Sequence, residues 1–395
     1  MNNDLHKGSL GGSLVADSAG AVQSVAGKLC SNSPALDSVV LDSVVLDNPS
    51  LDNPVTVRPV TTSDQQAWGH FVNTHPRAGV FHDWRWLPLL EQVFGHTNRS
   101  LIAWEGDEVV GVLPLMEVRT LLFGHNLVSL PFCQWAGTLV RDQSAETALR
   151  KAAITLAGSL RVSHLEWRNT EPSASGLPTQ SELYVCFRKA ISSDNETNLK
   201  GIPRKQRAMI RKGIANGLIA TDCSAEAFHT LYADNVHRHG TPCAPLSFFQ
   251  AIHSAFANDC EFLMVQDSDG TPLSGVLTLY WRDEVFPFYA GDTPQARHRA
   301  ANDFKYWEVM RRGAARGCSV FNYGRSKRGT GSFDFKRNWG FEPEPLHYEY
   351  WMAQGEALPA LNPSNPKFRL MIETWRRLPR PVVNFLGPRL IRGLG

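Results

Sequence analysis

Long apolar runs are missing from this chain, and no stretch approaches the span of a membrane helix, so a crossing segment is not expected. The opening residues hold a single Lys7 and no apolar core of signal-peptide length, which leads to the expectation of a cytoplasmic setting. Paired cysteines are missing too. The seven cysteines, at 30, 133, 186, 223, 243, 260 and 318, include no CxxC pair, so neither a zinc ribbon nor a disulfide framework is supported. No excess of one charge sign exists: 40 Lys and Arg face 38 Asp and Glu, for a net charge of +2. That excludes a globally basic nucleic-acid coat and leaves local clustering as the source of any polyanion site. No Gly-Lys-Ser/Thr loop, nucleophile elbow or HExxH occurs, and His237-Arg-His239 reads as a helix-end pair rather than a metal site.

What is present suits two ordinary domains within 395 residues. Residues 1–55 are poor in aromatics, rich in Ser, Gly, Asn and Asp, and carry four Leu-Asp steps five residues apart, at 36, 41, 46 and 51. They are expected to be a disordered low-complexity tail. From Val57 a first strand, a helix Ser63–Thr74, an aromatic helix His82–Phe94, a hairpin about Glu105-Gly-Asp-Glu108, a helix Ser144–Arg161 and strands His164–Arg168 and Glu182–Arg188 are predicted. The same order recurs in the second half. It opens on Lys200-Gly-Ile-Pro-Arg-Lys-Gln-Arg-Ala-Met-Ile-Arg-Lys212, where a helix from Pro203 puts Arg204, Arg207 and Arg211 on one face. Six cations without an acid there suit phosphate as well as solvent. The reading is therefore mixed α/β, with domains at 56–190 and 191–355 and a segment 356–395 beyond them.

The most informative stretch runs from Pro272 to Trp351. Apolar runs Pro272–Trp281 and Glu284–Ala290 flank Arg282-Asp283 and read as a hairpin. A helix Asn302–Arg316 follows, with Asn302-Asp303 as cap candidates and Gly317 as its stop. A short strand Ser319–Tyr323 then empties into the charged loop Gly324-Arg-Ser-Lys-Arg-Gly-Thr-Gly331, ahead of Phe335-Lys-Arg-Asn-Trp-Gly340. That order is the C-terminal half of a GNAT-type acyltransferase fold. The string Phe335–Gly340 resembles the FK-x-x-[FW]-G element of the Fem family of aminoacyl- and acyl-transferases. Gly324–Gly331, with Asn362-Pro-Ser-Asn-Pro-Lys-Phe and Trp375-Arg-Arg-Leu-Pro, looks like the FemAB-like branch associated with exosortase (PEP-CTERM) systems.

The resemblance, covering about Val57 to Gly395, implies two tandem GNAT-like domains and an acyl transfer onto an amine without a covalent enzyme intermediate. It places Lys336 as the ammonium that stabilises the oxyanion. Arg325 and Lys327, at a strand end, suit a phosphate of donor or acceptor. Tyr289 and Asn302 are candidates for lining the same groove, and His82, Trp84 and Trp86 for an acceptor cleft in the first domain. Lys305, on the preceding helix, is expected to matter much less than Lys336. No tightly bound cofactor is expected. The donor is an aminoacyl-tRNA or an acyl group on coenzyme A or a carrier, and the acceptor is an amine-bearing envelope or polysaccharide precursor. Coenzyme A is disfavoured, because Gln295-Ala-Arg-His-Arg-Ala-Ala-Asn302 has no glycine where a pyrophosphate loop needs one. An N-acetyltransferase of amino sugars and a silent scaffold stay open as alternatives. Lys367–Arg392 carries one acid, Glu373, among eight charges. It reads either as a tail packed on the domains or as a basic amphipathic contact with anionic membrane on its inner face.

Overall fold

The computed structural model describes residues 44–46, 54–120, 123–356, 358 and 366–393. Most of the 1–55 tail lies outside the described residues. Val44–Leu46 is an exception: it is a strand paired antiparallel with Val55–Pro59, Val45 opposite Thr56. In chain order the elements that matter here are β1 Val55–Pro59, α1 Gln65–Thr74, α2 Trp86–Phe94, β2 Leu101–Glu105, β3 Glu108–Leu113, β4 Met116–Thr120, β5 Gly124–Val128, α3 Gln143–Leu160 and β6 His164–Asn169. They continue as β7 Tyr184–Ala190, α4 Arg204–Ala215, β8 Ile219–Asp222, α5 Ala225–His239, α6 Leu246–Phe256, β9 Cys260–Gln266, β10 Pro272–Trp281 and β11 Glu284–Asp292. The last are α7 Ala301–Ala315, β12 Val320–Lys327, α8 Gly331–Asn338, β13 His347–Met352, α9 Pro366–Arg377 and α10 Arg380–Ile391.

The chain divides into two compact units, each mixed α/β. One is Glu182–Thr241 with Ala257–Glu344; the other takes residues up to Ser181, then Pro242–Phe256 and Pro345 onward. The division falls at 182 and 345 rather than at 191 and 356, for a physical reason. Strand β7, expected to close the first half, instead pairs antiparallel with β12 of the second, Cys186 opposite Arg325. Conversely β13 leaves the second half and pairs with β6, Tyr350 opposite Glu166. Helix α6 also crosses over, stacking Phe256 on Trp86 at 5.0 Å and Phe248 on Phe94 at 5.2 Å.

In the unit holding residues 54–181, α3 begins at Asp142, whose carboxylate accepts from the Ala145 amide at 3.0 Å. Its buried face of Ala145, Ala148, Ala152, Ala153 and Ala157 lets it lie close over β1, β2 and β3. The aromatic helix is shorter than predicted: Val80–His82 forms a separate 3-10 turn, and α2 begins at Trp86. Trp86 and Trp68 are fully buried and give their indole N–H to the Val80 and His82 carbonyls, both at 2.9 Å. The described residues of α9 and α10 pack on this unit. Trp375, Val383 and Ile391 are buried in this unit, and Arg392 donates to the Gly95 carbonyl at 3.0 Å.

The other unit is built on a sheet ordered β8-β9-β10-β11-β12-β7 among the described residues, edged by Pro343–Pro345. The hairpin β10–β11 turns at Arg282, whose φ of 52° lies in the left-handed region. Helix α5 starts under Ser224, whose hydroxyl accepts from the Ala227 amide at 3.2 Å, and stops at Gly240, φ 79°. Helix α7 lies over β10 and β11, with Gly313 against Val285; a Cβ there would sit 2.5 Å from Val285 Cγ1.

Candidate active site

Strands β11 and β12 are parallel neighbours nine and eight residues long, yet they pair only at Glu284–Val320 and Val285–Phe321. Beyond that they part, and local sequence explains why on both sides. On β11, Leu277 faces Tyr289 while Thr278 faces Pro287, so Phe288 is an extra residue, next to a proline that has no N–H to give. On β12, Phe187 faces Gly324 while Arg188 faces Asn322, so Tyr323 is the extra residue and Gly324 takes φ 68°, which favours glycine. Gly324 was expected to open a loop. Instead the bulge absorbs it, the strand runs on to Lys327, and a tight turn leads into α8.

That turn is fixed by side chains. Thr330 donates its hydroxyl to the Lys327 carbonyl at 2.7 Å and caps α8 by accepting from the Phe333 amide at 3.3 Å. Ser326 and Ser332 share a buried 2.7 Å hydrogen bond. Lys336, in the last turn of α8, is fully buried and not on a surface turn. Its Nζ donates to the Gly324 carbonyl at 3.1 Å and the Arg325 carbonyl at 2.9 Å, and faces the rings of Phe187 at 5.6 Å and Tyr323 at 5.9 Å. Arg325 stacks over Tyr184 at 4.5 Å. Lys327 lies two residues on, on the same face of β12. The end of β12 therefore gathers three cations, Arg325, Lys327 and Lys336, where β11 and β12 have separated.

Among the other predicted residues, Tyr289 is buried on β11 with its ring against Tyr232 at 5.5 Å and Phe288 at 4.4 Å. Asn302 is partly exposed in the first turn of α7. The cap expectation for Asn302-Asp303 fails: the N-cap is Ala300, at φ 61°, after a helical turn Ala296–Arg299 that occupies the stretch lacking glycine. On α4, Arg204 and Arg211 are exposed, while Arg207 is half-buried and its Nε has no hydrogen-bond partner among the described residues. Trp84 belongs to the other unit, where it is partly exposed, edge-on to Trp68 at 5.7 Å. Near it, His82 lines a small open pocket with Arg77, Gly137, Arg150 and Asn169. His82 accepts from the Gly79 amide at 3.1 Å and donates to the Gly137 carbonyl at 3.1 Å, and burial pushes its pKa down to about 4.

Sequence reading missed a buried charged network beside the cations. Lys305, fully buried on α7, pairs with Asp292 at the end of β11 at 3.0 Å, and Ser274 donates to the same carboxylate. Asp303, also on α7, accepts from the indole of Trp339 at 3.0 Å, and burial raises its pKa to about 6. Burial lowers the pKa of Lys305 against the pull of Asp292. Tyr306 and Tyr323 stack edge to face at 5.0 Å, and neither buried hydroxyl has a partner among the described residues. The available signal was Lys305 itself, a lysine set between Phe304 and Tyr306 on the apolar stripe of α7. It had been expected to be the bystander of the pair. Among the described residues no group of three or more His, Cys, Asp or Glu could hold a metal ion.

An acetyltransferase (GNAT) domain family matches residues 200–337. A UDP-N-acetylmuramoylpentapeptide-lysine N(6)-alanyltransferase from Weissella viridescens is 25% identical over 128 residues, which are 31% of this chain and 38% of that protein. The match thus spans well under half of that relative's length. The crystal structure of FemX superposes with a TM-score of 0.59 at 14% identity, covering 80% of this chain and 99% of that one. The structure of L-PGS from Bacillus licheniformis superposes with a TM-score of 0.50 at 12% identity, covering 81% and 98%. Both show a shared fold.

Proposed function

We propose, from the premise that this chain is a Fem-like protein of the GNAT family, that it is an N-acyltransferase joining an activated aminoacyl or acyl group to an amine of a cell-envelope or exopolysaccharide precursor. The observation that carries the reading is the Lys336 ammonium, held at zero exposure against the Gly324 and Arg325 carbonyls where β11 and β12 have parted. In such a transfer the amine nitrogen attacks the donor's ester or thioester carbonyl, and the carbonyl oxygen becomes an oxyanion. The intermediate collapses with loss of the carrier's oxygen or sulfur, and the proton given up by the nitrogen ends on that departing atom as the free hydroxyl or thiol. A fixed cation stabilises the oxyanion most where water is excluded, which is the setting of Lys336. Arg325 and Lys327 serve a phosphate of donor or acceptor.

The glycine-free helical turn at Ala296–Arg299 speaks against a coenzyme A pyrophosphate loop, so the donor carrier is read as tRNA or an acyl carrier, with no cofactor held between turnovers. The working place is the cytoplasmic side of the envelope, with the C-terminal segment at the membrane. The test is a donor panel. Purified full-length protein is incubated with charged tRNA, acyl carrier protein or acyl-CoA and an amine-bearing muropeptide or amino-sugar acceptor, and amide formation is followed by mass spectrometry. Amide from charged tRNA or acyl carrier is the expected result. Transfer from coenzyme A alone would overturn the donor assignment, and no transfer from any donor would overturn the enzymatic reading.

A further inference from the structure

The geometry points to the outer face of α10 as a docking surface for an anionic lipid bilayer. This deepens the membrane setting proposed above and is independent of the acyl-transfer chemistry. Helix α10 has two unlike faces. Val383, Gly387 and Ile391, four residues apart, face inward, and a Cβ at Gly387 would lie 3.5 Å from the Cys243 backbone. Val382, Phe385 and Arg389 lie on the other side at spacings of three and four. Val382 is 38% and Phe385 61% exposed, and Phe385 is the most exposed of the large apolar side chains described. Arg389 stacks on the Phe385 ring at 3.9 Å, so the apolar spot and its cation are one unit.

Charge selects the occupant. Residues 366–393 hold seven Lys and Arg against the single carboxylate of Glu373, although the whole chain is only +2. Arg376, Arg377 and Arg380 are exposed at the junction of α9 and α10, beside the apolar stripe. An exposed aromatic with one arginine stacked on it, on a basic helix anchored from its opposite face, matches the interfacial mode of binding: the ring enters the headgroup boundary while the guanidinium groups meet lipid phosphates. A second copy of the chain would bring the same cations face to face, which disfavours self-association through this surface.

The experiment is flotation of the full-length protein with vesicles of phosphatidylcholine, alone or mixed with phosphatidylglycerol. Binding is expected to the mixed vesicles only and to weaken with salt. Phe385→Asp should abolish flotation, and Arg380→Gln and Arg389→Gln should each lower the partition constant roughly fivefold. Arg204→Gln and Arg211→Gln, on α4, should leave it unchanged. Equal binding to both vesicle types, flotation that survives Phe385→Asp, or no flotation at all would overturn the proposal. So would a concentration-dependent dimer lost in Phe385→Asp, because the face would then meet a second copy. Acyl transfer measured without vesicles reports on the enzymatic reading separately.

Discussion

Two buried lysines 31 residues apart test what each ammonium is for. Lys336 donates to neutral carbonyls, whereas Lys305 neutralises Asp292. Lys336→Met keeps the stem and removes two hydrogen bonds, so stability should drop by about 1–3 kcal/mol while single-turnover transfer at saturating donor falls on the order of 10²–10³-fold. Near-normal turnover would remove Lys336 from the chemistry. Lys305→Met should be the more damaging to the fold, by about 3–5 kcal/mol, because it strands the Asp292 charge beside Asp303. Adding Asp292→Asn should recover much of that loss in a urea melt, and failure to recover would mean the pair is not what holds the site. Asp303 titrates in a useful window. Its folded pKa of about 6 lies above the usual 3.8, so the folded state binds the extra proton, and ionisation costs stability as pH rises from about 4 to about 6. The cost is about 3 kcal/mol, complete above pH 6 and absent below pH 4. Asp303→Asn should remove this slope. Melts of both proteins across that range read the difference, and parallel curves would contradict it.

At the scale of elements, the site depends on where β11 and β12 stop pairing, and α7 packs its Gly313 over Val285, the last β11 residue still in register. Gly313→Ala would place a Cβ 2.5 Å from Val285 Cγ1, so the helix or the strand must move. A loss of about 1–3 kcal/mol is expected, together with reduced transfer, since the opening moves with the strand. An unchanged melting temperature would show that the contact is slack. Much of this architecture was legible. Two apolar runs about Arg282-Asp283 marked the hairpin, and the helix predicted over Asn302–Arg316 is α7 within a residue at each end. The end of β12 was not legible, because Gly324 with charged neighbours is the composition of a loop. Only pairing with β7, whose Phe187 lies 137 residues earlier in the sequence, makes Gly324 a bulge. Asp303 looked like a helix cap for a similar reason: its partner Trp339 is 36 residues away, and no local pattern marks the bond.

For the whole molecule, the order of elements in the two halves could be read, but strand partnership could not, because pairing is decided by which edge is open and which face is covered. The consequence is that the second half of the sequence is not a folding unit as written. A fragment spanning 191–355 lacks β7, which pairs with β12 along seven registered residue pairs from Tyr184–Lys327 to Ala190–Val320. Without β7, the edge of β12 that carries Arg325 would expose unpaired backbone groups, and Lys336 would lose the Phe187 ring beside it. The same fragment carries α6, whose Phe248 and Phe256 pack on Phe94 and Trp86, and β13, whose partner is β6. Those surfaces would face water, at roughly 1.5–3 kcal/mol for each large apolar side chain. The fragment is therefore expected to show no cooperative melt and to aggregate, whereas the full chain melts cooperatively. Circular dichroism and size exclusion check this directly. A soluble 191–355 fragment with a sharp transition would mean that β7 and the crossing elements decorate a core that stands without them.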